Sequence, residues 1–241
     1  MAPAVGDVVY RFEGPLRLVE ILDRPNRFLV RVVDGGQVRS CHLHDPGRLP
    51  ELVRRGARAV VRPTRGVKTD CSITAIEAPN GVWVVADSRI HSDVASLFLG
   101  EARREVKVGG RRLDFLSGDT YIEVKGCTLV VDGAALFPDA PTKRGAEHLR
   151  LLRSLMGAGH RAKVVVLVMR PDAECFAPNW ATDPSFSREF ARFIKSGGDL
   201  EVHRFRYAEG RVIYDGDVGL CSGWDRPPSG SLRSLRGNFY N

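Results

Sequence analysis

With 241 residues, 43% hydrophobic and 27% charged, the chain has the make-up of a globular protein of one large or two small domains. No apolar run approaches the roughly 20 residues that cross a bilayer, so no membrane partner is expected. The net charge of +7, with a pI near 9.4, favours polyanionic partners, because neutralising phosphates releases counterions. The segment 1–7 lacks the basic flank and apolar stretch of a secretory signal, and the expected compartment is the cytoplasm.

The five cysteines (Cys41, Cys71, Cys127, Cys175, Cys221) are scattered, odd in number, and form no C-x-x-C pair or zinc-ligand spacing with histidine. They are expected to be mostly free and buried, unless the source is a hyperthermophile, where intracellular disulfides are common.

Five short apolar or alternating runs, 28–33, 38–43, 57–61, 72–76 and 82–85, read as strands. Asp34-Gly35-Gly36 marks a hairpin and Pro79-Asn80-Gly81 a further turn. With only a short helix expected at 49–55, residues 1–85 read as a small OB-like β-barrel. Residues 86–220 read as a mixed α/β domain. A helix capped by Ser92 is expected over 93–99, then strands at 104–108, 113–116, 121–124 and 128–131. A helix runs from Thr142 to about Met156, followed by an apolar strand over 163–169 of the kind covered on both faces. A second helix at 185–196 and strands at 200–207 and 211–214 complete the domain. The Ser-, Gly-, Pro- and Arg-rich segment 221–241 reads as a mobile tail.

The stretch from Arg112 to Lys125 carries the chemistry. It reads as a hairpin with Asp114 on the first arm, and with Glu123 and Lys125 two apart on the second, so both project from one face. Two carboxylates suit a hard divalent ion such as Mg²⁺ or Mn²⁺, which lowers the pKa of a bound water and offsets charge growing on a phosphate. A neighbouring ammonium stabilises that phosphate. The same spacing also suits solvent-facing charges on a hairpin. Context favours the metal site: Arg144 and His148, spaced i, i+4, share a face of the helix starting at Thr142, whose N-terminus favours anions.

Taken in order, Arg104-Glu-Val-Lys107, Arg112-Leu-Asp-Phe115, Tyr121-Ile-Glu-Val-Lys125, Thr128-Leu129, Phe137-Pro-Asp-Ala140, Arg144-Gly145 and His148-Leu149 resemble the sugar fermentation stimulation protein A (SfsA) family. The loop His42-Leu-His-Asp-Pro-Gly-Arg48 is similar to that family's polar loop, and the resemblance runs from about Phe12 to Leu220. It implies an OB-like N-terminal domain, a C-terminal domain of the PD-(D/E)XK nuclease fold, DNA binding, and a link to sugar-utilisation genes. It also implies metal and catalytic roles for Asp114, Glu123 and Lys125, with Glu105 as accessory ligand. Lys143 and Ala146-Glu147 depart from the family's pattern.

For nucleic acid, Arg62, Arg65 and Lys68 lie in a turn-rich loop suited to phosphate contact without base specificity. Arg11, Arg17, Arg24, Arg27 and Arg31 are interleaved with Phe12 and Phe28; the phenylalanines, Phe28 above all, are expected in the core. His42, His44, Asp45 and Arg48 either line a groove facing the second domain or hold a turn. Tail arginines Arg226, Arg233 and Arg236 would add nonspecific affinity. The expected function is binding of single- or double-stranded DNA with weak sequence preference, as a metal-dependent deoxyribonuclease or as a non-catalytic accessory or regulatory protein. RNA has no dedicated motif here.

Overall fold

The computed structural model describes residues 1–64 and 68–228. The N-terminal sheet contains β2 (Arg17–Asn26), β3 (Leu29–Asp34), β4 (Gln37–His42), β5 (Arg58–Pro63), β6 (Cys71–Glu77) and β7 (Trp83–Val85), in the order β4-β3-β2-β5-β6-β7. A further pairing of β4 with β6, Cys41 opposite Cys71, closes it into an OB-like barrel. Gly35 and Gly36 form the two-residue turn between β3 and β4, both at positive φ (58° and 82°), where only glycine is unstrained.

Strand β2 escapes the sequence reading because charged residues interrupt its apolar ones. Only Val19 and Ile21 are fully buried, and its ladder with β3 is irregular around Asp23. The expected helix at 49–55 is replaced by turns that bury Leu49 and Leu52 in the barrel core. Phe28, expected in the core, is 44% exposed. It sits in the β2–β3 turn, where Asn26 Oδ1 accepts hydrogen bonds from the Phe28 and Leu29 amides (both 3.0 Å) and turns the ring outward.

The second unit is a restriction-endonuclease-like α/β domain. Its main sheet runs β1-β16-β15-β13-β10-β9-β8. The strands are β1 (Val8–Arg11), β8 (Arg103–Val108), β9 (Arg111–Ser117), β10 (Thr120–Cys127), β13 (Arg161–Val168), β15 (Asp199–Ala208) and β16 (Arg211–Asp217). β10, β13 and β15 are parallel, as chain crossovers require, and the other neighbours are antiparallel. β1 was not anticipated: the start of the chain leaves the barrel and joins this sheet. A small second sheet, β11-β12-β14-β17, comprises β11 (Val130–Val131), β12 (Ala134–Phe137), β14 (Cys175–Pro178) and β17 (Gly219–Leu220). The strand expected over 128–131 shrinks to its last two residues.

Helices cover both faces. Val164, Val166 and Val168 pack with α2 (Lys143–Gly157) and α3 (Pro184–Lys195), while Val165 and Leu167 pack with α1 (His91–Leu99), as the period-2 alternation of β13 dictates. Helix α1 is not capped by Ser92. A short 3₁₀ turn, Ser88–Ile90, capped by Asp87, leads into it. Thr142 caps α2 through the Gly145 amide (3.1 Å). Asp183 Oδ1 caps α3, and its Oδ2 accepts from Thr142 N (2.8 Å), tying the starts of both helices together.

Two disulfides correct the expectation of free thiols. Cys41–Cys71 staples the barrel closure, Cys175–Cys221 fastens the second sheet, and Cys127 alone is free. Their sequence separations of 30 and 46 residues correspond to about 3–4 kcal/mol each in lost unfolded-state entropy. The second bridge also corrects the reading of a tail mobile from residue 221. Trp224 packs on Phe190 with ring centroids 5.8 Å apart, and its carbonyl accepts from Trp180 Nε1 (2.8 Å). Arg233 and Arg236 lie outside the described residues. In denaturant, Ellman's reagent should titrate one thiol per chain before reduction and five after; five before reduction would remove both bridges.

Behind α1, His203 is buried between Asp217 (Nδ1···Oδ1 2.6 Å) and Glu201 (Nε2···Oε2 3.3 Å), with Phe98 stacked at 4.0 Å. Burial works against a charged ring, but the two carboxylates outweigh it and hold the His203 pKa above its ordinary value. The stabilisation is therefore full below the unfolded pKa of about 6.5 and is lost as pH rises through the folded value. The loss of Tm in His203→Asn should be larger at about pH 6 than at about pH 9, read by thermal unfolding at both.

Candidate metal centre and domain cleft

The β9–β10 ladder runs from Ser117–Thr120 to Phe115–Ile122 and stops there. Beyond that point the Val124 amide donates to Asp114 Oδ2 (2.7 Å), so a carboxylate takes the place of the backbone partner where the strands part. Glu123 follows on β10, its side chain 3% exposed, on the sheet face covered by α2. Its Oε1 accepts from Lys125 Nζ and from His148 Nδ1 (2.5 Å). Arg144 Nε donates to His148 Nε2 at 3.4 Å, which leaves Nδ1 as the protonated nitrogen facing Glu123. The other oxygen, Oε2, is buried without a hydrogen-bond partner.

Burial pushes the Asp114 carboxyl pKa up, and the Glu123 charge adds to it. Glu123 feels the same burial, but Lys125 and His148 reverse it and hold its pKa below the ordinary value. An ionised, buried carboxylate with one oxygen unsatisfied beside a second carboxylate is a donor set that fits a hard divalent cation. Among the described residues no group of three or more His, Cys, Asp or Glu side chains converges as a metal cage. Glu105 does not join the pair. It is exposed, at φ 54°, and its carboxylate takes Arg112 Nη1 at 2.9 Å.

The groove residues lie where the two domains meet. Asp139 Oδ2 accepts from Leu49 N (3.4 Å), and a Cβ at Gly47 would come within 2.1 Å of that oxygen, so glycine is needed for the carboxylate to dock. Asp45 Oδ1 accepts from Gly47 N (2.7 Å) and holds the turn; burial pushes its carboxyl up to about 6. Arg24 and Arg27 donate to the carbonyls of Gly47 and Pro46 (2.8 and 2.6 Å). They build this loop. Arg17 and Arg31 are paired with Asp34 and Asp23. His44 Nε2 meets Ser72 Oγ (3.2 Å), and Ser88 Oγ donates to the His44 carbonyl (2.7 Å). Arg48 presents its carbonyl to Arg24 on the barrel side of the same loop.

Between this loop and β10 lies a cavity of about 190 Å³, lined by Asp45, Ser88, His91, Lys125 and Asp139 among others. His91 and Asp139 were not singled out as site residues in the sequence; Asp139 belongs to the quoted Phe137-Pro-Asp-Ala140 motif, while His91 carries no local signal. Arg62 on β5 is half-buried, Lys68 is exposed, and Arg65 lies outside the described residues. The His91 ring lies against the backbone of Gly126, next to Lys125: a Cβ at Gly126 would sit 2.0 Å from His91 Cε1. Burial pushes His91 down to about 4, so the ring is neutral at neutral pH. Gly126→Ala should cost roughly 1–3 kcal/mol by overpacking. Urea unfolding should show part of this recovered when His91→Ala is added; no recovery would place the strain elsewhere.

Comparison with known proteins agrees with this architecture. Residues 22–86 match the model of the SfsA N-terminal OB domain, and residues 83–211 that of the sugar fermentation stimulation protein RE domain. The chain is similar to the sugar fermentation stimulation protein homolog of Saccharolobus solfataricus, 48% identical over 217 residues, covering 90% of each. It is similar to that of Thermoplasma acidophilum, 44% identical over 92% of this chain and 100% of the relative. Among solved structures, Pyrococcus furiosus SfsA in complex with Ca²⁺ superposes with a TM-score of 0.82 at 25% identity, covering 89% of this chain and 99% of that one.

Proposed function

As the chain belongs to the sugar fermentation stimulation protein family, we propose that it is a DNA-binding protein of low sequence specificity that uses Asp114, Glu123 and a divalent ion to hydrolyse phosphodiesters. The observation that carries this reading is the buried, unpartnered Glu123 Oε2 beside Asp114. The Ca²⁺ complex of the Pyrococcus furiosus relative supports divalent-ion binding, with Mg²⁺ or Mn²⁺ as the working ions proposed here.

Asp114 and Glu123 would hold the ion, which supplies an acidified water and charge to offset that of the phosphate. Lys125, half-buried at the cavity wall, presents its ammonium where a phosphate oxygen gains charge. His148, aligned by Arg144, keeps Glu123 ionised and fixes its rotamer. The +7 charge supplies nonspecific phosphate affinity, with Lys68 and Arg144 as exposed cations.

A second reading keeps DNA binding without turnover, as an accessory or regulatory protein. It is favoured by the position of Glu105, which leaves two carboxylates where a third was expected. Calorimetric titration of Mn²⁺ into wild type and Glu123→Gln, with cleavage of single-stranded, duplex and flapped DNA in parallel, separates the two. The nuclease reading expects binding and cleavage in wild type, with cleavage reduced at least roughly 100-fold in the variant. Binding without cleavage selects the second reading, and absence of metal binding defeats the site.

A further inference from the structure

Phe28 is the one aromatic among the exposed large hydrophobic side chains of the described residues. It does not stand alone. The His42 ring lies nearly parallel to it (centroids 6.0 Å, 11° between planes), and the His44 ring lies 4.1 Å from His42, tilted by 39°. The Arg27 guanidinium lies 5.6 Å from the Phe28 centroid, held by its bond to the Pro46 carbonyl. Burial, with Arg89 and Arg62 nearby, pushes His44 down to about 4, so at neutral pH this ring offers a π-face without charge. The row ends at the cleft: the His44 carbonyl accepts from Ser88 Oγ, and Ser88 and Lys125 line the same cavity.

We propose that Phe28, His42 and His44 form a stacking ladder that receives the bases of single-stranded DNA and leads the strand across the barrel to the cavity at Lys125. The proposal rests on the DNA-binding reading above and names its substrate form. Three features select a single strand. Bases offer stackable faces only when unpaired, the row is flanked by the Arg27 guanidinium, and it runs towards the cavity lined by Lys125, whose ammonium pairs with Glu123. The exposed Phe28 ring adds nothing to the barrel core, so its position is explained by what it meets from solvent.

The test is fluorescence anisotropy with the full chain in EDTA, using labelled oligo-dT of about 20 nucleotides, a hairpin duplex and oligo-rU. EDTA makes the outcome independent of metal binding and cleavage. Phe28→Ala and His42→Ala should each weaken dT binding roughly 5- to 100-fold, the loss of a base–aromatic stack, with duplex binding changed less than about 2-fold. Phe28→Tyr should retain affinity, and 5-iodouracil in the oligomer should crosslink to Phe28 or His42. Wild-type affinity in both alanine variants, equal losses on duplex and single strand, or tighter rU binding would overturn the proposal. Wild type that binds duplex but no dT overturns the ladder and leaves DNA binding intact; wild type that binds neither defeats both.

Discussion

A carboxylate withdrawn from water costs several kcal/mol, on the order of what a small domain has to spare, unless charges and donors around it compensate. Glu123 is held in that condition by Lys125 from its own strand and by His148 from α2. Much of the second domain follows from this requirement. The β9–β10 ladder must end early so that Asp114 can turn inward. Helix α2 must start close to β10 so that His148, one turn in, reaches Glu123. Asp183 secures that start by bonding to Thr142 while capping α3. The compensation is incomplete at a single oxygen, and that incompleteness gives the site its chemical character.

The two domains meet through a comparable arrangement of polar groups. Asp139 enters a loop that only a glycine at position 47 leaves open, and Arg24 and Arg27 bind the loop's carbonyls from the barrel side. On the facing wall, Gly126 lets His91 lie against β10 beside Lys125. Two glycines, one from each domain, thus define the width of the cleft by letting side chains approach backbone. Arginines that composition alone would assign to DNA are used to set this geometry.

Strand β10 was legible because a period-2 strand carrying Glu123 and Lys125 among apolar residues has few arrangements, and the helix at Thr142 declared its cap and its stripe. Barrel and α/β domain were legible for the same reason. What escaped was non-local. Cys41 and Cys71 are brought together by barrel closure, which no spacing rule encodes, and the second sheet joins short strands from three distant segments. Glu105 lies exposed at a positive φ and pairs with Arg112, which its spacing from Asp114 does not announce. Phe28 reads as core in any hydrophobicity count. Its exposure depends on which residue occupies the turn, and Asn26 decides that.

The pairing of β1 with β16 sets an order of assembly. Val8 lies opposite Ile213, so β1, which precedes the barrel in the sequence, has the last long strand of the main sheet as its partner. During synthesis the barrel has all of its own strands once β7 has emerged, whereas β1 must wait, unpaired, until β16 has been made. Its eventual capture closes a loop that encloses the entire barrel, so the domain that is complete first is locked in place by the domain that finishes last. Such long-range closure slows folding, because chain entropy is lost before the contact repays it. In return, β1 covers the longer β16 and leaves a strand of only 4 residues as the border of the main sheet, where a long free edge would invite pairing with another nascent copy.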